Sequence, residues 1–295
     1  YSSAASDVYK RQVKKHKKKK ITLGHIGWLC SRNLILLFFL ILNIFPLIWV
    51  VMSSFKTNRE ILSFALSIPE NPSFINYLSV LQEPGMIQAF INSTVATVVS
   101  VVLNVILCYL GAYAISRFHF RFLKVTLMLL SFGLLIPINS ALLPIKMTMD
   151  GLHLSNSVIG LGILYAAVQI PMSVMILSTH VSGIDKAIDE AARIDGASNL
   201  RVAVSIIGPI AKPGIVTIVI LQAVYSWNEF LFALTLISDQ SKKTIQIIIR
   251  NFLGMYQSDY GALFAGVVMA IIPMVLVFVI FQNKVIEAFT AGSVK

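Results

Sequence analysis

The chain has 295 residues, of which 57% are hydrophobic and only 13% charged, with a formal net charge of +11 and a mean hydropathy of +0.81. Such values argue against a soluble globular domain and for a polytopic membrane protein. The two cysteines, Cys30 and Cys108, give no disulfide framework.

In chain order, the opening YSSAASDVYKRQ has no initiating Met and resembles translated adapter sequence, so residues 1–12 are set aside as non-native and 13–32 are read as a basic cytoplasmic N-terminus. The run KKHKKKK, Lys14 to Lys20, then precedes the first apolar segment. A polybasic juxtamembrane run is drawn to anionic headgroups. No nucleic-acid-binding fold accompanies it, so membrane lipid is the expected contact and nucleic acid is not.

About 20 apolar residues, rising ~30 Å as a helix, cross the hydrocarbon core of a bilayer. Six segments reach that length: 33–52, a second within 87–115, 125–145, a fourth within 156–180, 213–237 and 260–283. None alternates as a membrane β-strand does, so the expected fold is an all-α membrane protein with six transmembrane helices. Pro137, Pro144, Pro171 and Pro273 interrupt three of them. In lipid such breaks are tolerated where the freed carbonyls meet protein or water, which suits helices around a solute path, although a packing kink fits each equally well. Asn139, Ser140 and Gln169 beside these prolines are secondary path candidates.

Of the loops, 53–86 is the longest and carries the turn-forming IPENPSF. SRFHFRFLK is short enough to make the second and third spans antiparallel neighbours, and KKTIQIIIRNF is expected along the membrane interface. With the N-terminus inside, 18 of the 24 Lys and Arg residues fall on the cytoplasmic side. Basic residues in short loops stay on that side, so both termini, including 284–295, are expected there and 53–86 outside.

The stretch AIDEAARIDGASNLRVAVSIIGPIAKPG, residues 187 to 214, lies in the inside loop between the fourth and fifth spans. Asp185, Asp189 and Glu190 suit a helix start, where acids oppose the positive end of the macrodipole. Ile184, Ala187, Ile188 and Ala191 share one helical face. Gly196 suits a left-handed end to that helix, and Ser198 or Asn199 the cap of a second one running toward Ile207. The small residues leave a surface flat enough for close docking, and Pro209 and Pro213 make the pair a lever on the fifth span.

Glu229 is the single acid of the fifth span. The apolar residues there favour insertion by roughly 4 to 8 kcal/mol against roughly 2.5 to 3.5 for one central acid, so the span inserts with Glu229 turned from lipid. A buried structural hydrogen bond accounts for it as well as a polar path does. In the path reading Gln222, Ser226 and Glu229 share a face at i, i+4 and i+7, Asn228 lies nearby, and Tyr225 with Trp227 offers an aromatic surface to a sugar.

Glu190, Ala191 and Ala192, then Gly196, then IIGPIAKPG resemble the EAA loop of permease subunits of bacterial ABC importers. SSFKTNREI, NYLSVL, FINSTVAT, GLHLSNSVIGLGILYAA, SWNEFLFAL and FTAGSVK extend the likeness over about residues 33 to 295, to the carbohydrate-uptake branch and its maltose-type second permease. Gly208, in place of a bulkier residue, and Ala288, in place of Gly, depart from the pattern. The resemblance implies a MetI-like type I permease fold, with a five-helix core over 87–283 and the EAA coupling loop at 185–208. It further implies that Glu190, Ala191, Ala192, Asp195 and Gly196 meet a separate ATPase. The partners implied are a second permease subunit, two ATPase subunits and an extracytoplasmic sugar-binding protein.

The chain has no phosphate-cradling GxxxxGK[ST] or GxGxxG, and its five histidines show no HExxH or metal spacing. No catalytic residue, cofactor or metal is therefore expected, and the chain is read as a transport component rather than an enzyme. The alternatives are the same machinery for a glycerol phosphodiester or a peptide, or a secondary transporter or channel. The single intramembrane acid and the missing internal repeat weigh against ion coupling.

Overall fold

The computed structural model describes the backbone of residues 23–118, 121–254 and 258–293, and the side chains from 31 to 282 of these apart from 121 and 124. The adapter-like segment and the lysine run lie outside the described residues, as do Val294, Lys295 and every side chain of the closing TAGSVK. The described residues are helical and contain no strand. The chain divides into two units, Tyr1–Val50 and Val51–Lys295.

Most of α1 (Leu23–Ser53) belongs to the first unit. Its stretch Ser31–Ser53 is long and apolar enough to cross a membrane, and its side chains from 31 to 48 are all exposed, as expected of a helix solvated by lipid, while Ser53 at its end is buried.

The second unit is built on α4 (Met86–Arg117), a 32-residue helix about 48 Å long. Its strongest pairing is with α7 (Val158–Ser182). Asn104 Nδ2 donates to Ala166 O, Cys108 Sγ to Ile170 O and Ser116 Oγ to Ser178 O, each pair 62 residues apart. That constant offset makes the two helices parallel, and it puts both of their C-termini at one end of the bundle. Gly162 permits the close approach: a Cβ there would lie 2.8 Å from Ala96 O. α10 (Lys212–Asn228) packs against both. Gln222 reaches Ser100 while Trp227 stacks near Phe90, so α10 runs antiparallel to α4. α13 (Tyr260–Ser293) completes the packing, with Trp227 Nε1 donating to Ala270 O at 3.0 Å.

Among the described residues four helices are long and apolar enough to span a membrane, and six segments do so if each of two bent pairs counts as one span. The third apolar run is one of these. α5 (Arg121–Gly133) ends before Pro137, a 3-10 turn covers Ile138–Ala141, and α6 (Leu142–Gly151) leaves at 92°. Proline donates no N–H and keeps its predecessor out of the helical region, so the run breaks there instead of crossing straight. Pro144 sits in the first turn of α6, where its missing N–H costs nothing, while Pro171 and Pro273 lie inside continuous helices.

The fifth run also departs from the expectation of one helix over 213–237. α10 stops at Asn228, Glu229 is extended (ψ 130°), and α11 covers Leu231–Leu236. The i, i+4, i+7 face of Gln222, Ser226 and Glu229 therefore does not form.

The 53–86 segment holds α2 (Asn58–Ser63) and α3 (Ile75–Gln82). Thr57 and Glu60 form a reciprocal capping box on α2. The Thr57 N–H and hydroxyl and the Glu70 N–H hold the Glu60 carboxyl below the usual carboxylate range. Lys56 is buried and donates to Phe64 O and Ala65 O, the carbonyls that close α2. Asn76 and Asn58 then fix the segment, through Ser54 O and Lys56 O and through the Gly261 N–H.

KKTIQIIIRNF packs into the bundle rather than lying on its surface. It forms α12 (Ile245–Arg250), whose Ile245, Ile247, Ile248 and Ile249 are buried in the chain, leaving only Gln246 and Arg250, four residues apart on one face, turned outward. Asn92 of α4 donates to Ser241 O and Lys243 O, and Ser93 Oγ accepts the Ile245 N–H. Just before α12, the Ser241 N–H and hydroxyl hold the Asp239 carboxyl below its usual range.

Candidate functional site

The segment between α7 and α10 forms two short helices at the end of the bundle where α4 and α7 terminate. α8 (Lys186–Ile194) begins at Asp185, whose Oδ1 accepts the Ala187 N–H at 3.0 Å. It ends in a Schellman motif: the Ala197 N–H donates to Ala192 O and the Gly196 N–H to Arg193 O, both at 3.0 Å, with Gly196 at φ +84°. A β-carbon at Gly196 would meet nothing within 4 Å, so the backbone angle alone requires glycine there.

Ser198 caps the second helix by accepting the Arg201 N–H. That helix, α9 (Asn199–Ile210), contains a π-helical stretch at Val202–Ile207 and meets α10 at 81° across Ala211. Pro213 stands in the first turn of α10, where its fixed φ suits a helix start. The expected helix, left-handed turn and second helix are all present; the π stretch had no signal in the sequence.

The two helices present two faces. Asp189, Ala192, Val202, Ala203 and Ile207 are buried against the bundle. Ala187, Ile188, Glu190, Ala191, Asp195 and Gly196 are exposed, and Ile194 is 86% exposed. Of the five residues expected to meet an ATPase, Glu190, Ala191, Asp195 and Gly196 thus face outward, whereas Ala192 packs inward. Ala187, Ile188 and Ala191 form an apolar strip facing away from the chain; in α9 Leu200 is exposed, and Val204 lines a cleft with Val105, Ile106 and Leu110 of α4.

Asp189 is not a dipole-facing acid at the surface. It is 2% exposed, its Oδ1 accepts the Tyr113 hydroxyl at 3.0 Å, and its Oδ2 lies 3.0 Å from Arg117 Nη2. Arg117 also donates to Ile184 O at 3.1 Å. Sequence reasoning missed this cluster, having assigned both charges to loops. The available signal was Tyr109, Tyr113 and Arg117 at intervals of four, which puts three hydrogen-bonding side chains on one face of the last turns of α4.

The second group of candidate residues lies along α10. Gln222 is buried and donates to Ser100 Oγ and to Tyr165 O at 3.1 Å, and the buried Ser226 donates to Gln222 O. Glu229 accepts the Phe232 and Ala233 N–H groups and the Tyr165 hydroxyl. Tyr225 is half-buried, edge-on to Tyr165 with centroids 6.1 Å apart. Asn228 is exposed and lines a cleft of about 290 Å³ with Gln246, Ile249 and Ala270. The first three side chains belong to the interior of the chain, while Asn228 opens to a cavity. Among the described residues no group of three or more His, Cys, Asp or Glu is placed to hold a metal.

Comparison with known proteins agrees with this architecture. A family model described as the binding-protein-dependent transport system inner membrane component matches residues 27–287. The putative ABC transporter permease protein ORF2 of Caldicellulosiruptor sp. (strain Rt8B.4) is 35% identical over 251 residues, covering 85% of this chain and 91% of its own. The multiple sugar-binding transport system permease protein MsmG of Streptococcus mutans is 34% identical over 259 residues, covering 86% of this chain and 93% of its own. A chain from a bacterial ABC transporter involved in the import of the acidic polysaccharide alginate shares the fold, with a TM-score of 0.78 at 23% identity over 89% of this chain and 98% of that one. The chain belongs to the family of inner membrane components of binding-protein-dependent transport systems.

Proposed function

We propose that this chain is one of two different permease subunits of a bacterial carbohydrate importer and couples solute passage to a separate ATPase through residues 185–208. The observation that carries the proposal is the two-faced loop. One face is locked to the bundle through Asp189 and Ala192, and the other offers Ala187, Ile188, Glu190, Ala191 and Ile194 to a partner in water. An apolar strip of small residues rimmed by a charge suits a protein contact more than it suits solvent. The carbohydrate assignment is supported by the sugar-transport relative.

In this reading both termini are cytoplasmic, by the excess of basic residues on that side. The partners are a second permease, two ATPase subunits and an extracytoplasmic binding protein that meets the loops at the Met86 end of α4. Closure of the ATPase pair moves the 185–208 loop, and the bundle opens a path to the other side. Asn228, with Tyr225 beside it, is the path candidate that the geometry favours, since it lines the cleft next to Gln246 while its Nδ2 donates to Val224 O. Gln222, Ser226 and Glu229 support that wall from behind.

Calorimetric titration of the cognate binding protein with a panel of oligosaccharides, glycerol phosphodiesters and peptides tests the solute class. Selective binding of an oligosaccharide is expected. Selective binding of either other class would transfer the chain to the same machinery for that solute.

A further inference from the structure

Tyr109, Tyr113 and Arg117 line one face of the last turns of α4, and between them they hold the 185–208 loop and the residue that precedes it at three points, Ile184, Asp189 and Ala203. The Tyr109 hydroxyl donates to Ala203 O in the π stretch of α9, a carbonyl that also accepts the Gly208 N–H. The Tyr113 hydroxyl donates to Asp189 Oδ1 in α8. Arg117 binds the Asp189 carboxylate and the Ile184 carbonyl, which precedes the cap of α8. The Arg117 and Asp189 side chains are 2% and 3% exposed. Desolvating both charges is costly, and an apolar pair of like volume commonly stabilises a fold equally well. What the charges add is direction, because the charge-assisted hydrogen bonds from Tyr113 to Asp189 and from Arg117 to Ile184 O hold a helix in one orientation where apolar packing permits sliding.

The backbone link from the loop to α10 is weaker in this respect: it bends by 81° at Ala211 and is followed by Pro213. α4, by contrast, is continuous. At its other end Asn92 and Ser93 bond directly to the segment that carries Ser241, Lys243 and Ile245.

We propose that Arg117 and Asp189, with Tyr109 and Tyr113, are positioning residues that clamp the coupling loop to α4. α8, α9 and the end of α4 then move as one body, and α4 carries the motion to the opposite face. The clamp rests on the reading that the loop docks an ATPase.

The test uses the complete transporter in lipid nanodiscs with Cys30→Ala and Cys108→Ala. Spin labels are placed at the exposed Leu110 of α4 and Ile194 of α8. Distances are measured without nucleotide and after trapping with ATP and vanadate. The clamp predicts the same narrow distribution in both states. Asp189→Asn keeps the size and an acceptor for Tyr113 but leaves the Arg117 charge unpaired; it is expected to shift and broaden the trapped-state distribution, and Asp189→Glu to narrow it again. A state-dependent distance in the otherwise unsubstituted protein, or an unchanged distribution in Asp189→Asn, overturns the clamp. Should Asp189→Asn fail to assemble, Tyr113→Phe removes one hydroxyl only: broadening in the trapped state supports the clamp, and an unchanged distribution overturns it. A separate label at Ile188 that stays mobile when the ATPase subunits are added overturns the docking reading instead.

Discussion

Tyr165 of α7 donates its hydroxyl to Glu229 at 2.7 Å, and the same carboxylate accepts the Phe232 and Ala233 N–H groups at 2.8 and 3.1 Å. The acid thus caps α11 where α10 has ended and ties that break to a neighbouring helix. With the carboxylate gone, three donors lose their partner, at about 1 to 3 kcal/mol each. Glu229→Ala is expected to destabilise the detergent-purified protein by about 3 to 5 kcal/mol, and Glu229→Gln, which keeps an acceptor, by about 1 to 2. Thermal melts in which Glu229→Ala matches the unsubstituted protein would remove the structural role.

The α4 and α7 contact is limited by backbone rather than by a movable side chain. A β-carbon at Gly162 of α7 would stand 2.8 Å from Ala96 O and 2.9 Å from Val99 Cβ, whereas one at Gly111 of α4 would meet nothing within 4 Å. Gly162→Ala is expected to cost about 1 to 3 kcal/mol through overpacking. Gly111→Ala is expected to be neutral or stabilising by up to about 1 kcal/mol, from helix propensity alone. Equal effects of the two substitutions in a denaturation series would contradict the packing.

At Gly196 the constraint is conformational. With φ at +84° and open space around it, Gly196→Asn is expected to be tolerated, while Gly196→Val strains the turn by more than about 1 kcal/mol. Affinity purification should recover the ATPase subunits with the Asn variant and lose them with the Val variant. Loss with both would mean that the side chain, not the angle, matters.

Orientation is open to direct labelling. Ile68 and Ile194 are both exposed, and the basic-residue excess puts them on opposite sides of the membrane. A membrane-impermeant thiol reagent applied to intact spheroplasts should modify Ile68→Cys at once and Ile194→Cys only after permeabilisation. The reverse pattern would invert the topology.

The parts of the molecule legible in sequence were those governed by local rules. Hydrophobic length marked α1, α4, α7 and α13, while Asp185, Gly196 and Ser198 marked the ends of the loop helices through capping and left-handed geometry. What could not be read was long-range pairing. The parallel register of α4 and α7 depends on Asn104, Cys108 and Ser116 meeting carbonyls 62 residues away, and nothing local to those side chains names their acceptors. Asp189 was assigned to solvent because an acid near a helix start usually is; its burial depends on Arg117, which closes a different helix. The end of α10 at Asn228 was hidden for a related reason. A carboxylate one residue later substitutes for the helical hydrogen bonds, so no proline or glycine was needed to mark the break.

The most direct test of the account is ATP-driven uptake in proteoliposomes holding the permease pair and the ATPase subunits, supplied with the binding protein and a labelled oligosaccharide that it binds. Uptake is predicted to require ATP and the ATPase subunits. It is predicted to fall to background in Glu190→Lys and Gly196→Val while both variants remain inserted and assembled as permease pairs. Uptake that persists without the ATPase, or at the normal rate in either variant, would contradict coupling through the 185–208 loop.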